Sequence, residues 1–269
     1  MSSLFTMSPP LARRIGSALV LGPPTILCVY LGSTAFAVMV LVTMGILAWE
    51  WSRLCGAPLP QVGGVLLGCS LIAAIVGAEL GYPAVGLLLL VAGGFAAYLV
   101  AHGNGWLAAG AICLGLPGVA LVWLRQDPEM GRLVVLWLVA VVWASDIGAY
   151  AVGSTVGGPK LAPRISPRKT WSGLCGAITA AAAIGAAVAV YADIGSPLWV
   201  AVLSGSVGLA AQGGDLAESW LKRRFGVKDV SGLIPGHGGL LDRVDALLAA
   251  ALLTALIAIW GNGKIWIWL

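Results

Sequence analysis

The stretch "KDVSGLIPGHGGLLDRVD", residues 228–245, brings three carboxylates, two basic side chains, one of the chain's two histidines and four glycines into eighteen residues. Asp242 and Asp245 stand three apart ahead of an apolar run and would open a helix. Capping accounts for both acids, because first-turn amides and the helix dipole favour negative charge there. It does not account for Lys228, Asp229, His237, Arg243 or the glycines. Gly236, Gly238 and Gly239 surround His237 and would leave backbone amides free to approach an anion, unless His237 is simply a polar loop residue. Upstream, "AQGGDLAESWLKRRFG" places Asp215, Glu218, Ser219 and Lys222 on one helix face, the last three following Asp215 by three, four and seven residues. Asp215 closes an apolar run, where an unpaired carboxylate is costly; Lys222 is too far along to neutralise it, or a cation does so. Hard oxygen donors from two helix ends, beside Lys and Arg, are what Mg2+-assisted phosphoryl chemistry requires. The spacing predicts a nucleotide-phosphate site.

Two further groups point the same way. Asp146 lies in "ASDIGAYAVG", with Tyr150 one turn along the same face. It either pairs with a neighbouring helix or faces a polar cavity, and the cost of a carboxylate in lipid favours the cavity. The following segment, "GSTVGGPKLAPRISPRKTWSG", carries four basic residues and three prolines. It is not a P-loop, because Pro159 occupies the lysine position. Ser166, Lys169 and Thr170 remain at the start of the next apolar run, where attraction to anionic lipid is a competing explanation for the basic residues.

The elements that must position these groups are hydrophobic helices. The chain is 59% hydrophobic and 10% charged with a mean hydropathy of +0.97, whereas soluble domains carry about 25% charged residues. Residues 54–124 contain one charge, Glu79. Such a stretch must cross a bilayer several times at about 20 residues per crossing. The composition therefore predicts an all-α, polytopic integral membrane protein of about nine transmembrane helices, near 15–31, 35–51, 62–77, 82–101, 106–124, 133–152, 172–192, 197–215 and 244–260. With the N-terminus cytoplasmic, twelve basic residues fall on the cytoplasmic side and only Arg125, Arg132 and Lys264 on the other. Arg13 and Arg14 ahead of the first run are expected to orient an uncleaved span. Residues 1–131 form an oily half; residues 132–269 carry the chemistry on two cytoplasmic loops, 153–171 and 216–243. Five cysteines without CxxC spacing indicate neither disulfides nor zinc. In "GAITAAAAIGAAVAV" small residues would let helices approach closely.

Ser219, Lys222, Arg223, Lys228, Asp229, Pro235, His237, Gly238, Gly239, Asp242, Arg243 and Asp245 fit S-x-x-K-R-x4-K-D-x5-P-x-H-G-G-x-x-D-R-x-D without a gap. This resembles the signature of the phosphatidate cytidylyltransferase (CDP-diacylglycerol synthase) family, and "DIGAY", "ISPRKT" and "QGGDLAES" look like that family's other landmarks. The likeness covers roughly residues 140–250. It implies transfer of the cytidylyl group of CTP to phosphatidate, giving CDP-diacylglycerol and pyrophosphate, with Mg2+ as cofactor. By similarity, Asp215 and Asp242 would hold the metal, with Glu218 and Asp245 supporting them. Lys222, Arg223, Lys228 and Arg243 would grip phosphate oxygens, and His237 and Asp229 would belong to the catalytic set. Ser166, Lys169, Thr170, Asp146, Tyr150, Ser219, Gly238 and Gly239 would line the substrate site. The resemblance further implies an inner cell membrane location, a site facing the cytoplasm, contact with membrane lipid and a homodimer, with the small-residue spans as a candidate interface. Nothing points to nucleic acid. A CTP-dependent lipid kinase and a secondary transporter remain alternatives, although a transporter would show paired broken helices in its two halves.

Overall fold

Glycine and proline punctuate this chain where its helices begin and end. The computed structural model describes residues 22–57, 61–234 and 238–260. Helix α1 (Gly22–Leu31) is separated from α2 (Ser33–Leu54) by Gly32 alone. Gly32 holds φ +127°, which side chains with a Cβ rarely adopt, so the chain redirects there without a loop. Next come α3 (Val62–Glu79), α4 (Pro83–Val100) and α5 (Gly105–Gln126). Helix α5 widens to a π-helical turn over Ala111–Gly115. That turn lies just before Pro117, whose missing amide and bulky ring do not fit a regular ladder. The second half comprises α6 (Gly131–Thr155), α7 (Trp171–Ala192), α8 (Pro197–Arg224) and α9 (Leu241–Trp260).

Seven of these, α2 to α7 and α9, are long and apolar enough to cross a membrane. Of the nine expected spans, the window 15–31 is described only over its last ten residues, and residues 15–21, with Arg13 and Arg14, lie outside the described set. The window 197–215 forms part of α8, whose polar second half, from Gln212 to Arg224, dilutes its hydropathy.

Two expectations need correction. The expected all-α fold contains a small antiparallel hairpin, β1 (Lys160–Ala162) with β2 (Ser166–Thr170), pairing Lys160 with Thr170 and Ala162 with Ser166. Prolines 159, 163 and 167 exclude a helix there. Pro163 instead sits second in a turn closed by the Ile165 amide donating to the Ala162 carbonyl at 3.1 Å. The expected loop 216–243 is also shorter, because "LAESWLKRR" sustains the helix to Arg224. Gly226, at φ +69°, ends it, and the connection to α9 is residues 225–240.

The small-residue stripe of α7 is buried inside one chain. A Cβ on Gly176 would lie 2.6 Å from the Gly148 carbonyl oxygen of α6, and one on Gly208 of α8 would lie 2.6 Å from Ala181 Cβ. Backbones approach because nothing larger intervenes. These contacts use residues that the sequence offered for a dimer interface.

Polar groups gather at the two ends of the bundle. At one end Trp51 Nε1 donates to the Trp106 carbonyl at 2.8 Å, Asn104 Nδ2 donates to the Cys55 carbonyl at 2.9 Å, and Trp106 packs on Trp220 and Phe225 with ring centroids 5.8 Å apart. This joins the close of α2, the start of α5 and the close of α8. At the other end, Thr34 Oγ1 donates to Glu79 Oε1 at 2.9 Å, Gln126 Nε2 reaches the Glu79 and Ala78 carbonyls at 2.8 Å, and Arg125 donates to the Val29 carbonyl at 2.8 Å.

Candidate active site

Four elements of the second half converge at the end of the bundle that carries Trp51 and Trp106. Helix α6 contributes Asp146 and Tyr150; the hairpin contributes Arg168, Lys169 and Thr170; α8 contributes Gln212, Asp215, Glu218 and Lys222; α9 contributes Asp242, Arg243 and Asp245. Together with Asp229 they line one cavity of about 840 Å³. Its wall continues into apolar residues, among them Val139, Val142, Trp143, Leu174 and Leu247.

Helical spacing explains how α8 serves this cavity. Gln212, Asp215, Glu218 and Lys222 succeed one another at three- and four-residue steps, so all four face the same side. The hairpin supplies the counter-charge. Lys169 Nζ lies 2.8 Å from Asp215 Oδ2 and donates to Gln212 Oε1 at 2.9 Å. The cation beside Asp215 is thus an ammonium group from the other connection. Gln212 is buried and passes the link onward, its Nε2 donating to Asp146 Oδ1 at 3.0 Å. Asp146, Lys169 and Asp215 are held as one network.

A second network centres on Lys222. Its Nζ lies 2.7 Å from Glu218 Oε2 and 2.6 Å from Asp242 Oδ1. Burial disfavours the Lys222 ammonium, but the hydrogen bonds it donates to Asp242 and Glu218 outweigh that and raise the pKa above the ordinary lysine value. Glu218 lies on α8 beyond the apolar stretch 197–215. Burial first, and then the neighbouring Asp242 carboxylate, push it up to about 9 despite Lys222. Its Oε1 is the one buried side-chain oxygen or nitrogen among the described residues without a hydrogen-bond partner.

The N-terminus of α9 departs from the sequence expectation. Asp242 does not cap it: the helix begins at Leu241. Asp242 Oδ2 instead accepts from the Gly239 amide at 2.7 Å and the Val230 amide at 3.4 Å. The cap comes from α2, where Glu50, with no exposed surface, accepts from the Leu240 amide at 2.8 Å and the Leu241 amide at 2.7 Å. The amides of residues 239–241 are therefore taken by carboxylates and are not free for an anion. His237 lies outside the described residues.

Among the described residues, the other expected site residues apart from Thr170 stand off the cavity lining. Arg223 is exposed and donates to the Val227 carbonyl at 3.3 Å and the Ile165 carbonyl at 3.5 Å, fastening the close of α8 to the hairpin turn. Lys228 is exposed on the connection, and Ser166 is part of β2. Ser219 Oγ donates to Asp215 Oδ1 at 3.3 Å, supporting that carboxylate from behind. Gly238 and Gly239 sit against Asp242 and Glu50 respectively. Thr170 lines the cavity and also caps α7, its Oγ1 accepting from the Gly173 amide at 3.1 Å. Asp215 and Asp242, the expected metal ligands, each face a lysine, and among the described residues no three His, Cys, Asp or Glu side chains converge on one point.

The sequence model of the cytidylyltransferase family matches residues 12–260. The chain belongs to that family. It is similar to the phosphatidate cytidylyltransferase of Brucella suis biovar 1 (strain 1330), 40% identical over 246 residues, which cover 90% of this chain and 91% of that relative. It is also similar to the phosphatidate cytidylyltransferase of Pseudomonas aeruginosa (strain PAO1), 37% identical over 270 residues covering 94% and 98%. The phosphatidate cytidylyltransferase of Rickettsia bellii (strain RML369-C) is 36% identical over 187 residues, covering 66% and 79%. The family match takes in both halves of the bundle, including α2 and its Glu50.

Reading the sequence missed Glu50, Gln212 and Arg168. Glu50 is an acid at the close of the apolar run "GILAWEW", and the argument that singled out Asp146 applies to it equally. Gln212 stands three residues before Asp215, on the same face.

Proposed function

We propose that this chain transfers the cytidylyl group of CTP to phosphatidate, giving CDP-diacylglycerol and pyrophosphate for phospholipid synthesis. The observation that carries this reading is a single cavity whose wall passes from paired lysines and carboxylates into an apolar surface of α6, α7 and α9. Such a cavity suits a polar nucleotide and a lipid phosphate brought together. A phosphatidate oxygen would attack the α-phosphorus of CTP as the bond to the bridging oxygen of the β-phosphate breaks. Lys169, Lys222 and Arg243 would turn toward phosphoryl oxygens, and the work is positioning and charge neutralisation without a covalent protein intermediate.

Mg2+, when bound, would act as a Lewis acid that offsets charge developing on the phosphoryl oxygens. The donor set fits such an ion: five carboxylates from three helices line the cavity, and Glu218 Oε1 is buried without a partner. Asp215 and Asp242 would hold it. Two carboxylates suffice, because Mg2+ commonly draws its remaining oxygens from phosphate and water.

The assay is purified protein in detergent with CTP and phosphatidate. Pyrophosphate release is expected; release of CDP would overturn the reading in favour of a CTP-dependent lipid kinase.

The same proposal includes nine crossings, an N-terminus in the cytoplasm and an inner-membrane protein whose site faces the cytoplasm, with residues 1–131 as scaffold and 132–269 as the catalytic part. Support comes from the basic-residue asymmetry and from alternate helix ends meeting at the two polar clusters. Cysteines placed at Ser196 and Arg224, at the two ends of α8, should label from opposite sides, Arg224→Cys from the cytoplasm. Labelling from one side would remove α8 from the crossings. The homodimer belongs to this proposal too, without the α7 small residues as its interface.

A further inference from the structure

We infer that Glu50, on α2 and outside the cavity, is a positioning residue that fixes the connection carrying Asp229 against the start of α9, which carries Asp242. Three contacts carry this. Ser231 Oγ donates to Glu50 Oε1 at 2.5 Å, the Leu240 amide donates to the same oxygen at 2.8 Å, and the Leu241 amide donates to Oε2 at 2.7 Å. The carboxylate therefore grips the connection twice, two residues after Asp229 and immediately before Asp242. Both acids line the cavity, and the segment between the grips contains His237.

The approach is tight enough to dictate sequence. A Cβ on Gly239 would lie 2.6 Å from Glu50 Oε1, and its three nearest neighbours would all be Glu50 carboxylate atoms. Gly239 is thus required for the carboxylate to reach the helix start. Glu50 is fully buried, so its hydrogen bonds meet no competition from solvent, and charge-assisted bonds to amides are the stronger kind. Asp242, relieved of capping, turns its Oδ1 to Lys222.

The inference rests on the proposed reaction only for its kinetic readout. Glu50→Gln keeps side-chain size but offers one acceptor oxygen and directs an NH2 group toward backbone donors. In the full-length purified protein, hydrogen exchange over residues 230–242 should accelerate while α3 and α4 keep their protection. The kcat for cytidylyl transfer should fall about tenfold or more, as when a group that orients a ligand is lost, with KM for CTP within about threefold. Glu79→Gln, at the opposite end of the bundle, should change neither. Ser231→Ala removes one donor and should move exchange and kcat in the same direction by less; it decides the matter should Glu50→Gln not be recovered folded. Unchanged kcat, or exchange rising in α3 and α4 as much as in 230–242, would overturn the inference. If the unsubstituted protein releases no pyrophosphate, the proposed reaction fails, while the exchange comparison still decides whether Glu50 fixes the loop.

Discussion

The two ends of the bundle solve the same problem differently. Both place an acid from the first half where helices meet. Glu79 is satisfied by Thr34 and by the Gln126 amide, next to the Arg125 link to Val29. No cavity residue belongs to that cluster. At the other end, Glu50 closes a helix start, and beyond it Asp215 and Asp242 each pair directly with a lysine on the wall of the cavity. Polar groups that bind backbone tie helices together; acids and lysines that bind each other beside a cavity can exchange partners when phosphate arrives. Space and exchangeable partners distinguish a site from a joint.

The sharpest break in that comparison is removal of charge at the cavity. Asp242→Asn should leave the protein folded, because Glu50 supplies the α9 cap and Lys222 Nζ keeps Glu218 Oε2 as a partner at 2.7 Å. Turnover should fall about 100-fold or more, read as initial rates of CDP-diacylglycerol formation across a Mg2+ titration. Asp215→Asn should behave alike. Near-normal rates in both would reduce the carboxylates to structural joints like Glu79.

Smaller losses are expected where geometry changes and charge survives. Arg243→Lys retains the positive charge but not the planar fork, and should lower turnover about tenfold, whereas Arg53→Lys should be nearly silent. Recovery of both variants on adding anionic lipid would mean that general surface attraction explains the basic cluster. Gln212→Ala cuts the link from Lys169 to Asp146, and a loss of about tenfold in kcat with protein yield preserved is expected. Smallest of all is Glu79→Gln: activity within about twofold and any stability change within about 0.5 kcal/mol, measured by thermal unfolding in detergent.

The sequence made the cavity legible where chemistry follows local spacing. Asp215, Glu218 and Lys222 were readable as one face because α8 imposes their geometry, and Asp146 because lipid makes an acid conspicuous. The hairpin was not legible: three prolines rule out a helix but do not specify which residues pair. Capping by Asp242 was the natural local reading, and it failed because the competing carboxylate comes from another helix. Glu50 and Leu241 are 191 positions apart, and no periodicity spans that gap. The same holds for Lys169 and Asp215, joined only through tertiary packing.

That separation also has a meaning in time. Chains emerge from the ribosome at about 5–20 residues per second, and Leu240 follows Glu50 by 190 residues. Glu50 is therefore synthesised about 10–40 s before the amides it binds exist. During that interval α2 carries an acid with none of its eventual partners, and every helix from α3 to α8 is made around it. The ninth helix completes both the cavity and a contact begun in the second. A nascent chain stopped between Arg224 and Leu240 would contain every helix from α1 to α8 yet lack both amides that Glu50 binds.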